Sequence, residues 1–513
     1  MELVRKNIHM DRIKSKAATQ IVLEDDRNVP DQKPDMERII LQKGSVRTDE
    51  IKVAENRVNV SGKLVFQILY GTEDGGVGRM EGEIPFDEQI NMEGALNGDD
   101  VEVCARLEDM GIDLVNSRKL SIHALAAMTL WTEEVYDEEI AVEVYHDEPV
   151  ETKKSMVPVT EIGILKKDIM RFKEELEMPQ SFPNIFEIIW DDVRVGGIVF
   201  EAMNGQIAVS GEITVFLLYE GEGEERPLKC YEKTIPFKET IECQGCMETM
   251  IPDIAYHISH NEIEVRTDFD GEERVACLDL VLDLDMKLYE EEQIEALTDV
   301  YGVAKDVRPI MRQGVFSRLL VRTSGRTKLT EQVKLPAGLP DITALCHNSA
   351  EAVIESTELT EQGVEITGTL TVELLYVPEG ETGLSSFRTE LPFAYELEAP
   401  DLKEACRYDI EPSVDQLSVS MLSGSEVDIK AVLAFGLLGF CDEEENIISD
   451  ISVTETDMNV INELPGIVVY VASAGDELWE LGKKYYVPLS QIREMNHLGS
   501  DTLREGEKIL IVR

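Results

Sequence analysis

VNVSGKLVFQILYG (58–71), IAVSGEITVFLLYE (207–220) and VEITGTLTVELLYV (364–377) are three versions of one segment. In the first, Val58, Val60, Leu64 and Phe66 alternate with Asn59, Ser61, Lys63 and Gln67. A period of two places the apolar side chains on one face, which predicts a strand buried on one side. The second copy does the same with Ile207, Val209, Ile213, Val215 and Leu217. Gly62, Gly211 and Gly368 hold the same place in each copy, 149 and then 157 residues apart. Glycine weakens a plain strand, so its position predicts a bulge or a close approach of backbone.

Working outward, Pro30 and Pro34–Asp35 recur as Pro179 and Pro183–Asn184, then as Pro336 and Pro340–Asp341, with the same two offsets. Downstream, Ile84–Pro85–Phe86 recurs as Ile235–Pro236–Phe237 and Leu391–Pro392–Phe393. Three ordered landmarks at near-constant spacing establish a triplication. The upstream prolines remove ladder donors and mark turns or edges. Each unit closes on a further β-patterned stretch: KLSIHALAAMTLWTEE (119–134), VACLDLVLDLDMKLYEE (275–291) and VDIKAVLAFGLLGF (427–440).

We therefore expect a mainly β protein of three tandem antiparallel sandwich- or barrel-like domains, 15–137, 166–292 and 315–460. Acidic connectors around 138–165 and 292–315 contain Val142, Val144 and Tyr145, which suggest extra strands and units packed as a semi-rigid string.

The last stretch differs in kind: IVVYVASAGDELWELGKKYYVPLSQIREMNHLGSDTLREGEKILIVR (467–513). A strand at 468–472 precedes Gly475–Asp476, which opens a helix with Leu478, Leu481 and Tyr485 at helical spacing. Asp476 is placed to cap that helix, and Glu477 suits its positive end. Pro488 starts a second helix, 489–495, and Asn496 is expected just past it in the left-handed region. A strand at 508–512 completes a small βααβ domain.

Charge bounds the partners. With 49 Lys+Arg against 102 Asp+Glu, the chain carries −53 at neutral pH. That repels phosphate backbones and anionic lipid, so nucleic acid and membrane surfaces are disfavoured. No run of about 18 uncharged apolar residues is present to span a bilayer. The first residues lack an apolar stretch of leader length, so a cytoplasmic location is expected. Eight cysteines scattered over 513 residues do not form a dense disulfide scaffold and are expected as free thiols.

Cys243-x-x-Cys246 followed by His257-x-x-His260 is the best metal pattern. An i,i+3 pair in a strand points to opposite faces, and the first repeat has Met92 and Ala95 where the cysteines fall. Four ligands would have to converge, so no metal is expected. No phosphate-binding loop, nucleophile elbow, zincin motif or dinucleotide fingerprint occurs, and neither catalysis nor a cofactor is expected.

The Pro-x-x-x-Pro-Asp entry, the V-x-V-x-G-x-L-x-x-x-[IL]-L-Y strand and the [IL]-P-F turn resemble the DUF3794 family, the SPOCS domain of spore-coat proteins. The second copy departs from it at Asn184. Tyr470, Gly475, Asp476, Leu478, Trp479, Asn496, Leu498, Gly506 and Ile511 resemble the LysM family, with Glu477 for the usual Thr and Glu505 for the usual Pro. LysM modules hold N-acetylglucosamine polymers between two loops, which by match are 474–478 and 496–500. The resemblance thus implies Gly475, Asp476, Glu477, Leu478, Trp479, Asn496, His497 and Leu498 as the ligand- or partner-binding residues. Trp479 equally suits a core anchor.

Together the resemblances imply a non-enzymatic assembly protein of the mother cell, at the forespore surface. Its LysM would bind the coat morphogenetic ATPase, stage IV sporulation protein A, and its repeats other coat proteins. The alternative is a peptidoglycan-binding protein of the spore cortex or cell wall.

Overall fold

The three homologous segments become the middle strands of three antiparallel sheets. The computed structural model describes residues 2–73, 75–147, 149–224, 226–380, 383–455 and 464–513. The first repeat comprises β1 (Glu2–Asn28), β2 (Met36–Ala54), β3 (Arg57–Thr72), β4 (Val77–Asn91), β5 (Val101–Asn116) and β6 (Lys119–Tyr145). Its sheets are ordered β2-β3-β4 and β1-β6-β5. The second repeat repeats this with β7 (Val150–Glu177), β8 (Ile185–Met203), β9 (Gln206–Gly221), β10 (Leu228–Glu242), β11 (Ile251–Thr267) and β12 (Glu273–Gly302). The third uses β13 (Asp306–Lys334), β14 (Ile342–Leu359), β15 (Gly363–Pro378), β16 (Ser385–Glu398), β17 (Arg407–Ser423) and β18 (Glu426–Thr454).

The period-two pattern sets what each sheet buries. Val58, Val60, Leu64, Phe66 and Ile68 of β3 face Leu120, Ile122, Ala126, Met128 and Leu130 of β6 across one apolar core. The other two repeats bury equivalent rows, so each unit is an antiparallel sandwich, as expected.

The repeated landmarks prove to be contact partners. Gly62 lies opposite Phe86, Gly211 opposite Phe237 and Gly368 opposite Phe393. The phenyl ring of the Pro-Phe element covers the bare backbone of the glycine, and a Cβ at Gly368 would stand 2.7 Å from Phe393 Cζ. The closing tyrosine of the same strand has its own task. Tyr70, Tyr219 and Tyr376 donate their hydroxyls to the carbonyls of Pro34, Pro183 and Pro340, at 3.4, 3.1 and 3.2 Å. Arg118 binds Asp35 and the Pro30 carbonyl, and Arg274 binds Asn184 and the Pro179 carbonyl. Asn184 thus replaces the carboxylate without losing the arginine.

The connectors do not string the units out. β1, β6 and their counterparts run 27–30 residues, about 90 Å or more if fully extended. A bulge at Lys14, Gly163 and Leu320, again 149 and 157 residues apart, marks where each outer strand passes beyond its sandwich. Beyond the bulge the arms of all three repeats pack together. Ile8, Met10 and Ile140 meet Val157, Val159 and Ile294, and these meet Phe316 and Ile447. A further apolar cluster joins Ile40, Leu41 and Leu69 to Ile189, Trp190 and Leu218, and to Leu375 and Leu384. Each repeat touches both others, so the three close into a ring of approximate threefold symmetry. The expected string is overturned because the connectors are continuous arms with an apolar face to bury.

One carboxylate ties all three repeats. Asp11 of the first repeat, 4% exposed, accepts from Arg407 of the third at 2.8 Å and from the Tyr289 hydroxyl of the second at 3.0 Å. Lys287, which also pairs with Glu133, stands 3.9 Å away. Burial would raise the Asp11 pKa, but the Arg407 hydrogen bond and charge, with Lys287, hold it below the usual carboxylate value. At the matching positions stand Thr160 and Ser317, buried and uncharged.

Cysteine chemistry departs from the expectation of free thiols. Cys406 and Cys441, 35 residues apart, are joined by a disulfide. The adjacent residues Arg407 and Phe440 are cross-strand partners, a neighbourhood that sequence spacing does not reveal.

Gly368→Val forces the Phe393 ring and the Val353 carbonyl apart and should cost about 1–3 kcal/mol in urea unfolding. Gly436→Ala, where a Cβ meets nothing within 4 Å, should change stability by under about 0.5 kcal/mol. Asp11→Ala strands Arg407 and should cost about 3–5 kcal/mol at neutral pH. A lowered native pKa contributes stability above the unfolded value that is lost as pH falls through the native value. The gap between wild type and Asp11→Ala, measured by denaturant unfolding, should therefore narrow as pH falls below about 4.

Candidate binding site of the C-terminal module

After the ring, β19 (Ile467–Val471) and β20 (Lys508–Val512) form an antiparallel pair, with α1 (Leu478–Tyr485) and α2 (Leu489–Asn496) between them in sequence. The apolar spacing expected of α1 is realised. Leu478, Leu481 and Tyr485 pack with Val487, Leu489, Ile492, Leu503, Ile509 and Ile511 in one core.

Two terminal residues differ from the sequence expectation by one position. The residue before α1 is Glu477, whose side chain makes no capping bond. Asp476 instead closes the preceding turn, accepting from the Ser473 amide and the Tyr470 hydroxyl, each at 2.8 Å. Those two donors hold its pKa below the usual carboxylate value. Asn496 is the last helical residue, and His497 takes the left-handed conformation at φ 55°. The reason is visible in the Asn496 side chain. Its amide donates to the Ile492 and Leu510 carbonyls, and its oxygen accepts from the Leu510 amide, bolting α2 to β20.

The first of the two loops expected to flank a ligand is tied to the segment that follows the second. Leu478 N–H donates to Asp501 O at 2.8 Å and Leu503 N–H to Asp476 O at 2.9 Å, with Glu477 bridged to Thr502. Arg493 clamps Asp501 from α2 at 2.6 Å. Gly475 and His497 are exposed on the loops and Leu498 is half-buried, whereas Leu478 is fully buried.

Trp479 and Glu477 face the ring. The Trp479 indole donates to Asp299 Oδ2 at 2.8 Å, and Lys483 binds the same carboxylate at 2.6 Å. The Tyr301 ring stands edge-on to Trp479 with centroids 5.0 Å apart, and its hydroxyl donates to the Val487 carbonyl at 2.9 Å. Burial pushes the Tyr301 hydroxyl pKa up. Glu477 pairs with Lys153. At Gly482 a side chain would collide with the Tyr301 hydroxyl, so this glycine lets helix and arm approach. Trp479 is thereby an anchor between the module and the second repeat, 5% exposed.

Lys153, Asp299 and Tyr301 were missed because they lie in a connector. A signal was present: Asp299–Val300–Tyr301 repeats Glu143–Val144–Tyr145 of the first repeat. There Tyr145 is exposed, while Tyr301 is buried under α1.

The cysteine and histidine pattern does not converge. Cys243 and Cys246 are buried in the second sandwich and close a turn through Cys246 N–H to Cys243 O. Met92 with Ala95, and Ala399 with Leu402, make the same bond in the other repeats, so these are core positions. His257 and His260 are exposed on β11, beside Asp283 and Glu262. Among the described residues no group of three or more His, Cys, Asp or Glu is placed to hold a metal ion.

The family model for the SipL SPOCS domain matches residues 35–115, 184–266 and 341–422, and the LysM model matches 470–512. Each SPOCS match spans the second to fifth strands of its repeat and leaves out the long arms. No curated protein and no solved structure matches the chain. Among the described residues no helix is long and apolar enough to cross a membrane. SPOCS and LysM are non-catalytic binding domains, and they make this a sporulation-associated chain with a glycan-binding type of module. The chain is a SipL-like protein, three SPOCS repeats followed by a C-terminal LysM domain.

Proposed function

We propose that the chain is a non-enzymatic adaptor of spore-coat assembly, acting in the mother cell at the forespore surface. Its LysM domain binds the coat morphogenetic ATPase, stage IV sporulation protein A, while the repeats engage other coat proteins. We divide it into repeat bodies at 15–137, 166–292 and 315–460, whose outer strands run on beyond these bounds as the arms, and a LysM domain at 467–513.

The observation that carries this reading is the way the LysM is held and what it leaves uncovered. Glu477 and Trp479 are spent on the ring, so the module is fixed to the second repeat and does not swing as a tethered sugar-binder. Its free sheet face carries Ile467, Val469, Val471 and Leu510, all exposed. Val469 and Leu510 are cross-strand neighbours, and Ile467 and Val471 flank Val469 at a period of two, so the four share one face. A flat aliphatic face suits a protein partner, since sugar recognition draws on aromatic platforms and polar groups. A single docking module on a three-repeat body raises the local concentration of whatever the repeats bind.

The peptidoglycan reading keeps the exposed loop residues Ser473, Ala474, Gly475, His497, Gly499 and Ser500 as its support. A paired binding assay on the full chain separates the two. Val469→Asp should weaken ATPase binding at least tenfold, about 1.4 kcal/mol, with the thermal midpoint unchanged and insoluble peptidoglycan failing to sediment the chain. Firm sedimentation with glycan and no ATPase contact would replace the adaptor by a wall- or cortex-binding factor.

A further inference from the structure

Ile40, Ile189 and Cys346 occupy one position of the three repeats, separated by 149 and 157 residues. In each case ladder pairing skips the residue, at bulges between Ile39 and Leu41, Ile188 and Trp190, and Leu345 and His347. A bulge re-aims the side chain, and here all three enter the apolar cluster that the repeats share. Facing them across the junctions are Arg79, Cys230 and Ser386, which pair in their own sheets with the equivalent residues Leu69, Leu218 and Leu375.

The three junctions of the ring thus use one site with different chemistry. Between the first and second repeats, Arg79 reaches Asp191 at 3.5 Å. Between the third and first, the Ser386 hydroxyl donates to the Ile40 carbonyl. Between the second and third, the site holds two thiols, Cys230 and Cys346, in side-chain hydrogen-bond contact. Neither is fully buried, in contrast to Cys243 and Cys246.

We propose that Cys230 and Cys346 form a modification site, an oxidisable pair that closes a disulfide across the junction of the second and third repeats. The oxidant class is a low-molecular-weight disulfide, R–S–S–R. Cys346 attacks one sulfur as the thiolate, the S–S bond breaks and the distal sulfur leaves as RS⁻, which takes up the proton that Cys346 gave up. The mixed disulfide on Cys346 is then attacked by Cys230, which loses its own proton as a second RSH leaves. Two protein thiols are oxidised and one small disulfide is reduced to two thiols.

The surroundings favour Cys346 as the attacking sulfur. Interaction with the Cys230 thiol holds its pKa below the ordinary thiol value, and the His347 charge adds to this against the opposing effect of burial. His347 lies between Asp192 at 3.3 Å and Glu232 at 3.0 Å and stacks on Phe216 with centroids 3.9 Å apart. Burial lowers the His347 pKa, but those two hydrogen-bonded carboxylates leave it raised.

The site is independent of what the LysM binds, and the test uses the full chain with glutathione disulfide as the probe. Peptide mapping of the native protein should recover the peptides of Cys230 and Cys346 linked to each other. The closed loop of about 115 residues should raise the thermal midpoint. Cys230→Ser should stop at glutathione trapped on Cys346, and Cys346→Ser should leave Cys230 as a thiol over the same time. The proposal is overturned if both wild-type cysteines take up glutathione separately without linking. It also fails if they link only in denaturant, or if Cys243 and Cys246 oxidise while this pair stays reduced.

Discussion

A strand that runs past the end of its own sandwich keeps an apolar face that nothing in its repeat can cover. The outer strands here do so in every repeat, beyond the bulges at Lys14, Gly163 and Leu320. Ile8 and Met10, Val157 and Val159, and Phe316 find cover in one another. Closure into a ring satisfies all three sets at once, which a linear string would leave open at both ends. The position of the LysM depends on this as well, because Asp299 and Tyr301 sit on an arm rather than on a sandwich.

The ring is an intramolecular counterpart of a cyclic trimer, built from one chain. Covalent linkage frees the three junctions from having to be identical, and they have diverged. Asp11, Thr160 and Ser317 share one position, and Leu41, Trp190 and His347 share another. An ion pair in one junction and an aliphatic contact in the next give each repeat a preferred neighbour. Such differences fix the order around the axis, since Arg407, which pairs with Asp11, would find no carboxylate at Thr160 or Ser317.

The fold of a single repeat was legible, because alternation and the glycine, proline and tyrosine landmarks act within one sandwich. Gly62 and Phe86 both stand out as landmarks of the repeat, and the fold sets them opposite each other. The ring was not legible. Val142, Val144 and Tyr145 announce β structure, but a period of two is the same whether the buried face meets its own sheet or a sister repeat. At the LysM, the elements and core were readable, while Asp476 and Asn496 were each assigned one residue from the role they hold. The sharper omission was the docking surface. Trp479 looked like a core or ligand residue, and the carboxylate that binds its indole lies 180 residues earlier. Charge patterning was equally mute about Asp11, one acidic residue among 102.

The bond between Asp11 and Arg407 spans 396 residues of chain. At the rates of protein synthesis, the ribosome takes roughly 20–80 s to deliver the arginine after the aspartate. During that time the first sandwich is complete, yet its arm waits with Ile8 and Met10 uncovered. A nascent chain in this state is exposed to wrong partners, including the equivalent arms of other nascent copies. The dense negative charge of the completed sandwiches repels such neighbours while the arm waits, so the acidity of this protein protects its birth as much as its mature state.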